Sequence, residues 1–456
     1  MIKKSFQPAV WLLSLLFLLL TFNSCNKTEP PAEEDTFTQY GTPFTGIPAN
    51  EDIVMYEVNL RAFSPGGDLQ GVIDGLDHIR SLGVNVVWLM PIHPIGEINS
   101  VNSPYSVKDY LAVSPEYGTL DDLRRLTDAA HARDMAVIMD WVANHTSWDH
   151  EWISNPGWYT TDNNGNIVHP PGTNWLDVAD LNFSSFPMRK AMIDAMTYWV
   201  LEANVDGFRC DYADGVPFDF WRVAIETLRD IPEREIIMLA EGSRDNHLSA
   251  GFDLIYAWDF YYRTKDVYNG QSATILYNTH VAEYIGVPAG KHRLRYTTNH
   301  DESAWEATPM VFFNGQQGAL AASVASIFMG GAPLLYTGQE VGQVNTVPFF
   351  SNAPINWTQN PAMLQAYQNM MEVYTQSEAA RKGTLTNYST SNVVAFKKAF
   401  NDEELLVFIN IRNNNQNFSV PAELQQTNWQ NTLSGSQVSL GTSVTLNNYE
   451  YIIFRK

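Results

Sequence analysis

The sequence predicts an α/β fold: a (β/α)8 TIM barrel with a small inserted subdomain after strand 3 and an antiparallel β domain at its C-terminal end. Three observations carry that reading. From Ile53 onward, short apolar runs of β type alternate with loops rich in Asp, His, Pro or Gly and then with helical patterns. That alternation is what βα units around a parallel sheet require. Eight such runs occur, over residues 54–62, 84–90, 136–140, 205–211, 236–241, 254–259, 294–300 and 333–336. After about Gly383 the helical spacing stops, and β runs follow one another over 393–397, 405–411, 438–446 and 449–455.

At the N-terminal end, Lys3 and Lys4 precede an apolar run over 9–20 that only Ser14 interrupts. The run is shorter than the roughly 20 residues of a membrane helix and reads as a signal peptide, residues 1–24. Ser24 directly before Cys25 resembles a bacterial lipoprotein cleavage site, which implies that Cys25 is acylated and anchors the chain to a membrane. Residues 25–47 read as an acidic tether, with Glu29, Glu33, Glu34 and Asp35 beside Pro30 and Pro31. The stretch is similar to the acidic export tethers of Bacteroidetes surface lipoproteins, which places the protein in the cell envelope, exported, as an outer-membrane or surface lipoprotein. Cys25 and Cys210 are the only cysteines, so no structural disulfide is expected.

The barrel is assigned to residues 48–382. Within it, Thr119 and Asp122 form a capping-type pair ahead of Leu120, Leu123 and Leu126 at helical spacing, and Ala191, Met192, Ala195, Met196 and Trp199 repeat with the same period. The connection over 146–185 is too long for an ordinary loop and holds Trp148, Trp152, Trp158 and Trp175. Four tryptophans are costly to leave exposed, so the segment reads as a subdomain walling one side of a cleft. Residues 383–456 are assigned to a C-terminal β-sandwich packing on the barrel, with a hairpin at the Asn-rich turn 413–417.

Charge narrows the partners. Against 28 Lys and Arg stand 50 Asp and Glu, a net charge of −22 that repels phosphate backbones, so nucleic acid is excluded as a partner. The aromatic supply, 13 Trp and 21 Tyr, suits flat apolar ligands such as sugar rings.

In a barrel of this kind, polar residues at the C-terminal ends of the strands converge on one face. The apolar runs here end in Asn144-His145, Asp211, Glu241 and His300-Asp301. Three carboxylates, Asp211, Glu241 and Asp301, would therefore share one cleft. Glycoside cleavage needs such a set: a carboxylate to attack the anomeric carbon, a protonated acid for the leaving oxygen, and negative potential beside an oxocarbenium-like transition state. Crowding also raises the pKa of the acid that must stay protonated. A metal site would use acids in the same way. Arg209 lies two residues before Asp211, on the same face of its strand.

Four segments in order, Asp140-Trp141-Val142-Ala143-Asn144-His145, Gly207-Phe208-Arg209-Cys210-Asp211, Glu241-Gly242 and Asn299-His300-Asp301, resemble the motifs of the α-amylase family of glycoside hydrolases (family 13). Val178-Ala179-Asp180-Leu181-Asn182 is similar to an additional motif of that family, and the stretch 103–110 to the loop that supplies a stacking tyrosine. The resemblance implies Asp211 as nucleophile, Glu241 as general acid/base and Asp301 as transition-state stabiliser. It further implies Tyr105 stacking beneath the sugar, His145 and His300 binding its hydroxyls, and Arg209 keeping the nucleophile ionised. Asn144 and Asp180 resemble positions that hold a structural Ca²⁺; no cofactor is implied for the chemistry itself.

One departure stands out. Where many α-amylases follow the nucleophile with a Lys-His pair on the leaving-group side, this chain reads Tyr212-Ala213-Asp214-Gly215. The expected activity is retaining hydrolysis of α-1,4 links in starch or maltooligosaccharides. A 4-α-glucanotransferase, a cyclodextrin-cleaving or maltogenic amylase, and a noncatalytic surface glucan-binding protein remain open alternatives. Oligomeric state is not legible.

Overall fold

The computed structural model describes residues 37–456. The expected signal peptide, Cys25 and residues 25–36 of the expected tether lie outside the described residues. Eight parallel strands close the barrel: β1 (Met55–Val58), β2 (Val86–Leu89), β3 (Ala136–Trp141), β4 (Gly207–Cys210), β5 (Ile237–Ala240), β6 (Leu254–Tyr256), β7 (His292–Arg295) and β8 (Ala332–Tyr336). Each pairs with its neighbour in sequence, and Met55 lies opposite both Val86 and Leu334, where β8 returns to β1.

The strands read as continuous apolar runs because both faces are covered. Met55, Trp88, Ile138, Leu239, Leu254 and Leu334 fill the barrel interior. Tyr56, Val87, Val137, Met238, Ile255 and Leu335 point outward into the core beneath the surrounding helices. Side chains alternate with period two, so counting on from the inward set brings Glu57, Asp140, Arg209, Asp211 and Glu241 to the inner face at the C-terminal ends. The site is thus built by strand phase.

Several boundaries move. Strand β1 stops at Val58, before the end expected at residue 62, because Ala62 and Phe63 turn back to hydrogen-bond the Asn59 carbonyl in a single helical turn. Strand β6 stops at Tyr256, and Trp258 opens the helix Trp258–Tyr268. Strand β7 ends at Arg295 rather than at residue 300. The Asn299 side chain accepts from the Glu302 N–H at 2.9 Å and starts the helix His300–Trp305, which carries His300 and Asp301. At the other end of the barrel domain, the Tyr40 N–H donates to the Leu201 carbonyl at 2.8 Å and Phe44 stacks on His131 at 4.3 Å. The chain is therefore fixed to the barrel before residue 47, where the tether was expected to end.

Helix Leu120–His131 begins with the expected reciprocal cap between Thr119 and Asp122. In the connection over 146–185, the strand His145–Ser147 pairs antiparallel with Val178–Asp180, His145 opposite Asp180. Trp152 is buried on this small platform, and Trp148, Trp158 and Trp175 are half-buried.

The C-terminal region holds β9 (Thr384–Asn387), β10 (Val393–Phe400), β11 (Glu403–Asn410), β12 (Gln416–Ser419), β13 (Asn428–Asn431), β14 (Gln437–Ser439), β15 (Ser443–Leu446) and β16 (Tyr451–Arg455). A six-stranded antiparallel sheet runs in the order β9-β10-β11-β16-β13-β14, and β12 pairs with β15 in a second sheet. The Asn-rich turn is not a hairpin. It carries the chain from one sheet to the other, held by the Asn410 amide, which donates to the Asn414 carbonyl at 2.7 Å and to the Asn447 carbonyl at 2.6 Å. Likewise the single run expected over 438–446 splits between the two sheets. Alternation again divides the labour: Val393, Ala395 and Phe408 face the sandwich core, whereas Val394, Phe396 and Val407 join the core of the barrel domain.

Gly207 opens the strand that ends at Asp211. Its φ is 154°, and a Cβ there would lie 2.0 Å from the Ile237 carbonyl oxygen of the adjacent strand. Backbone cannot yield as a side chain would. Gly207→Ala is therefore expected to cost roughly 3 kcal/mol or more in denaturant unfolding, the range of strained or overpacked core changes.

Candidate active site

Tyr105, His145, Asp211, Glu241, His300 and Asp301 all line one cavity of about 580 Å³ at the C-terminal mouth of the barrel. Beneath it lies Arg209, fully buried. Its Nη1 donates to Asp140 Oδ1 at 2.8 Å and to Asp211 Oδ1 at 3.0 Å. Its Nη2 lies 2.9 Å from Glu241 Oε2, an ion pair rather than an aligned hydrogen bond. One guanidinium thus bridges the two carboxylates expected to act on the glycosidic bond, while the rings of Trp88, Tyr105 and Tyr256 surround it at 5.1–5.8 Å.

Asp301 is reached from the other side. Its Oδ2 lies 3.5 Å from His300 Nε2, and its Oδ1 accepts from the indole N–H of Trp305 at 3.2 Å. Trp305 is 64% exposed and packs edge-on against Phe349 and Phe350, so an aromatic wall stands beside the third acid. Opposite it, Trp175 from the inserted subdomain meets Tyr212 edge-on at 5.0 Å.

The two histidines carry different charge. Burial lowers His145 to about 4, against which a hydrogen bond to the Tyr105 backbone acts, and its Nδ1 accepts from the Asn144 amide at 3.3 Å. Burial lowers His300 as well, but Asp301 and the buried Glu57 outweigh it and lift the imidazole to about 9. An imidazolium accounts for its partners: Nδ1 donates to Glu57, Nε2 donates to the Tyr105 hydroxyl at 2.8 Å, and that hydroxyl donates on to Asp140 Oδ2 at 3.1 Å.

Asp211 is pulled in two directions. Burial raises its carboxyl pKa well above the usual range, Arg209 pulls it down, and Glu241, Asp140 and Asp301 push it up again. The guanidinium moderates a crowded, desolvated acid without restoring an ordinary one. Burial likewise raises Glu57.

Asn144 and Asp180, the expected calcium positions, meet at the short strand pair that founds the inserted subdomain. The Asn144 amide is turned to His145, and burial raises the Asp180 carboxyl, against which Thr160 acts by a hydrogen bond. Two donors fall short of the roughly six to eight oxygens calcium takes. Among the described residues, no three His, Cys, Asp or Glu side chains gather to hold a metal ion.

The sequence reading passed over Glu57, the role of Asp140, Tyr256 and Trp305, and it set Trp175 and Tyr212 beside the cleft without giving either a contact. The first two could have been found by strand phase, since each continues an inward-facing set.

The sequence and fold have known counterparts. A model of the alpha-amylase catalytic domain matches residues 23–165. Alpha-amylase MalA of Haloarcula japonica is 32% identical over 312 residues, which are 64% of this chain and 44% of that protein. The chain thus spans less than half the length of that relative. A solved alpha-amylase from Lactobacillus plantarum superposes with a TM-score of 0.80 at 28% identity, covering 90% of this chain and 99% of the other. A noncanonic maltogenic alpha-amylase, AmyB of Thermotoga neapolitana, gives 0.80 at 25% identity with the same coverage.

The charge of His300 has a stability signature. Its folded pKa of about 9 exceeds the ordinary 6.5, so its contribution is complete below about pH 6.5 and is lost as pH rises through 9. Glu57→Gln is expected to move the imidazole back toward its ordinary value. Imidazole ¹⁵N spectra from pH 5 to about 10 read this directly: in the wild type His300 is expected to titrate at about 9 and His145 to be neutral throughout.

Proposed function

We propose that this chain is a member of the alpha-amylase family of glycoside hydrolases and a retaining α-glucan hydrolase that cleaves α-1,4 bonds of starch or maltooligosaccharides. The observation that carries the proposal is the shared guanidinium: Arg209 holds Asp211 and Glu241 together on the floor of a sugar-sized cavity. A retaining enzyme needs its two carboxyl groups about 5–5.5 Å apart, close enough for attack without an intervening water. Two acids on one fork suit that demand better than the wider spacing of inversion.

In the first step Asp211 attacks the anomeric carbon while Glu241 gives its proton to the departing glucan oxygen. A glycosyl ester on Asp211 results. In the second step a water loses its proton to Glu241 and displaces Asp211, so the sugar leaves with its original anomeric configuration. Asp301, Tyr105 and the charged His300 form one connected wall that grips the reacting sugar, and the neutral His145 lines the same cavity. Both steps pass through a cationic sugar ring, and the excess of carboxylates over the cations Arg209 and His300 favours it. The same excess, together with three acids facing one cavity, favours turnover over binding alone.

Asp211→Asn keeps Arg209 paired with Asp140, so it should fold and yet lose activity by about 10³-fold or more. Proton NMR of the first product is expected to show the α-anomer. A 2-deoxy-2-fluoro glucosyl fluoride should label the peptide bearing Asp211. Appearance of the β-anomer, or labelling elsewhere, overturns the mechanism.

We further propose export and lipid anchoring through Cys25. Cys25→Ser is expected to move the protein from the membrane fraction to the soluble one in a bacterial host that processes lipoproteins, and an unchanged distribution would rule the anchor out.

A further inference from the structure

We propose that Asp214 is a positioning residue for the general acid/base: with His247 it clamps the backbone that carries Glu241 against the turn that follows Asp211. The inference rests on the α-glucan hydrolase reading above and adds to it a residue that touches no sugar. Asp214 belongs to the Tyr212-Ala213-Asp214-Gly215 stretch, which departs from the Lys-His pair of many α-amylases. Of these four residues Tyr212 lines the cavity and Asp214 does not.

Both oxygens of Asp214 are engaged by the segment that follows Glu241. Oδ2 accepts from the Ser243 N–H at 3.0 Å and from the Ser243 hydroxyl at 2.9 Å, and Oδ1 accepts from Arg244 Nε at 3.2 Å and from His247 Nε2 at 2.6 Å. Partial burial raises this carboxyl, but the hydrogen bonds from His247 and Ser243 outweigh it and hold it well below the usual carboxylate range. The clamp is therefore charged at neutral pH. Gly242 lies against the pair: a Cβ there would fall 2.7 Å from both Asp214 Oδ1 and His247 Nε2. The residue directly after Glu241 is thus wedged onto Asp214 and His247, and His247 is itself buried at the start of the helix Asn246–Ala250.

The same two segments also meet through the backbone. The Tyr212 N–H donates to Glu241 Oε2 at 2.7 Å, the Ala213 N–H to the Glu241 carbonyl at 2.9 Å, and the Glu241 N–H to the Cys210 carbonyl at 3.0 Å. Tyr212 makes its bond from a left-handed turn, φ 39° and ψ 47°, a strained conformation for a residue with a Cβ that persists only where its surroundings fix it. Asp214 supplies that fixing two residues on, and Arg244 Nη2 reinforces it through the Ala213 and Val216 carbonyls at 3.2 and 3.0 Å. Loss of the carboxylate would free the turn, and with it the N–H that orients the Glu241 carboxyl. A misplacement of about 1 Å is enough to cost roughly 10²-fold in rate.

The test varies how much the leaving group needs the proton of Glu241. In an aryl α-maltoside, Asp211 bonds to the anomeric carbon, the bond from that carbon to the phenolic oxygen breaks, and the Glu241 proton goes to that oxygen. Phenyl and 4-nitrophenyl α-maltosides place a similar ring on the leaving side, but 4-nitrophenolate departs with far less help. Asp214→Ala and Gly242→Ala, each checked for wild-type melting, are expected to lower kcat/KM for the phenyl substrate by roughly 10²-fold and for the 4-nitrophenyl substrate by under about tenfold, as a misplaced proton donor would. Gly242→Ala reaches the clamp without removing a charge, by pushing Asp214 and His247 away from the backbone. Equal losses on both substrates, or a raised KM with kcat unchanged, would overturn the positioning role while leaving the hydrolase reading intact. A wild type inactive on both maltosides and on starch would instead remove that reading, and the positioning role with it.

Discussion

A single buried cation organises this barrel. Arg209 has no access to water, and its charge is balanced by Asp140, Asp211 and Glu241 within 3.0 Å. A buried pair is seldom a net gain over an apolar core, because desolvating the charges offsets their attraction. Breaking one is different: removing a partner leaves an uncompensated charge and typically costs about 3–5 kcal/mol. The arrangement therefore specifies geometry more than it adds stability. It fixes where strands β3, β4 and β5 present their acids, and the cavity above inherits that placement.

The charge balance of the whole mouth follows from the same constraint. Arg209 and His300 are the cations; Glu57, Asp140, Asp211, Glu241 and Asp301 are the carboxyl groups around them. Burial and the repulsion of neighbouring carboxylates raise Asp211 and Glu57, while Arg209 and His300 pull them back down. An approaching cationic transition state relieves that repulsion. The arrangement favours positive charge in the cavity, as the proposed function requires.

Much of this was legible in the sequence because strand phase is a strict rule. Arg209 and Asp211 share a face by period two, and the apolar runs ending in Asp211 and Glu241 point to the mouth once a barrel is assumed. Thr119 and Asp122 announced their helix for a reason equally local, a reciprocal cap that needs only three residues of spacing. The misses involve contacts between distant segments. His300 and Asp301 looked like a strand end, but Asn299 caps a helix there. The turn over 413–417 looked like a hairpin until Asn410 tied it to Asn447 in the other sheet. No local pattern reports that His300 also meets Glu57, 243 residues earlier in the chain.

The two sides of the cavity are built from different materials. On one side, Tyr105 stacks on the charged His300 at 5.4 Å, and the hydrogen-bond chain runs back through Asp140 to Arg209. Each member is fixed by a buried partner, so this half is rigid and demanding of hydroxyl geometry. The opposite half is a left-handed turn at Tyr212 leaning on Trp175, whose segment belongs to the inserted subdomain and not to a barrel strand. Ring surface tolerates sugars in several orientations, whereas a buried polar chain tolerates few. One side of the mouth is thus tied to the buried charges beneath it, and the other rests on aromatic contacts between loops.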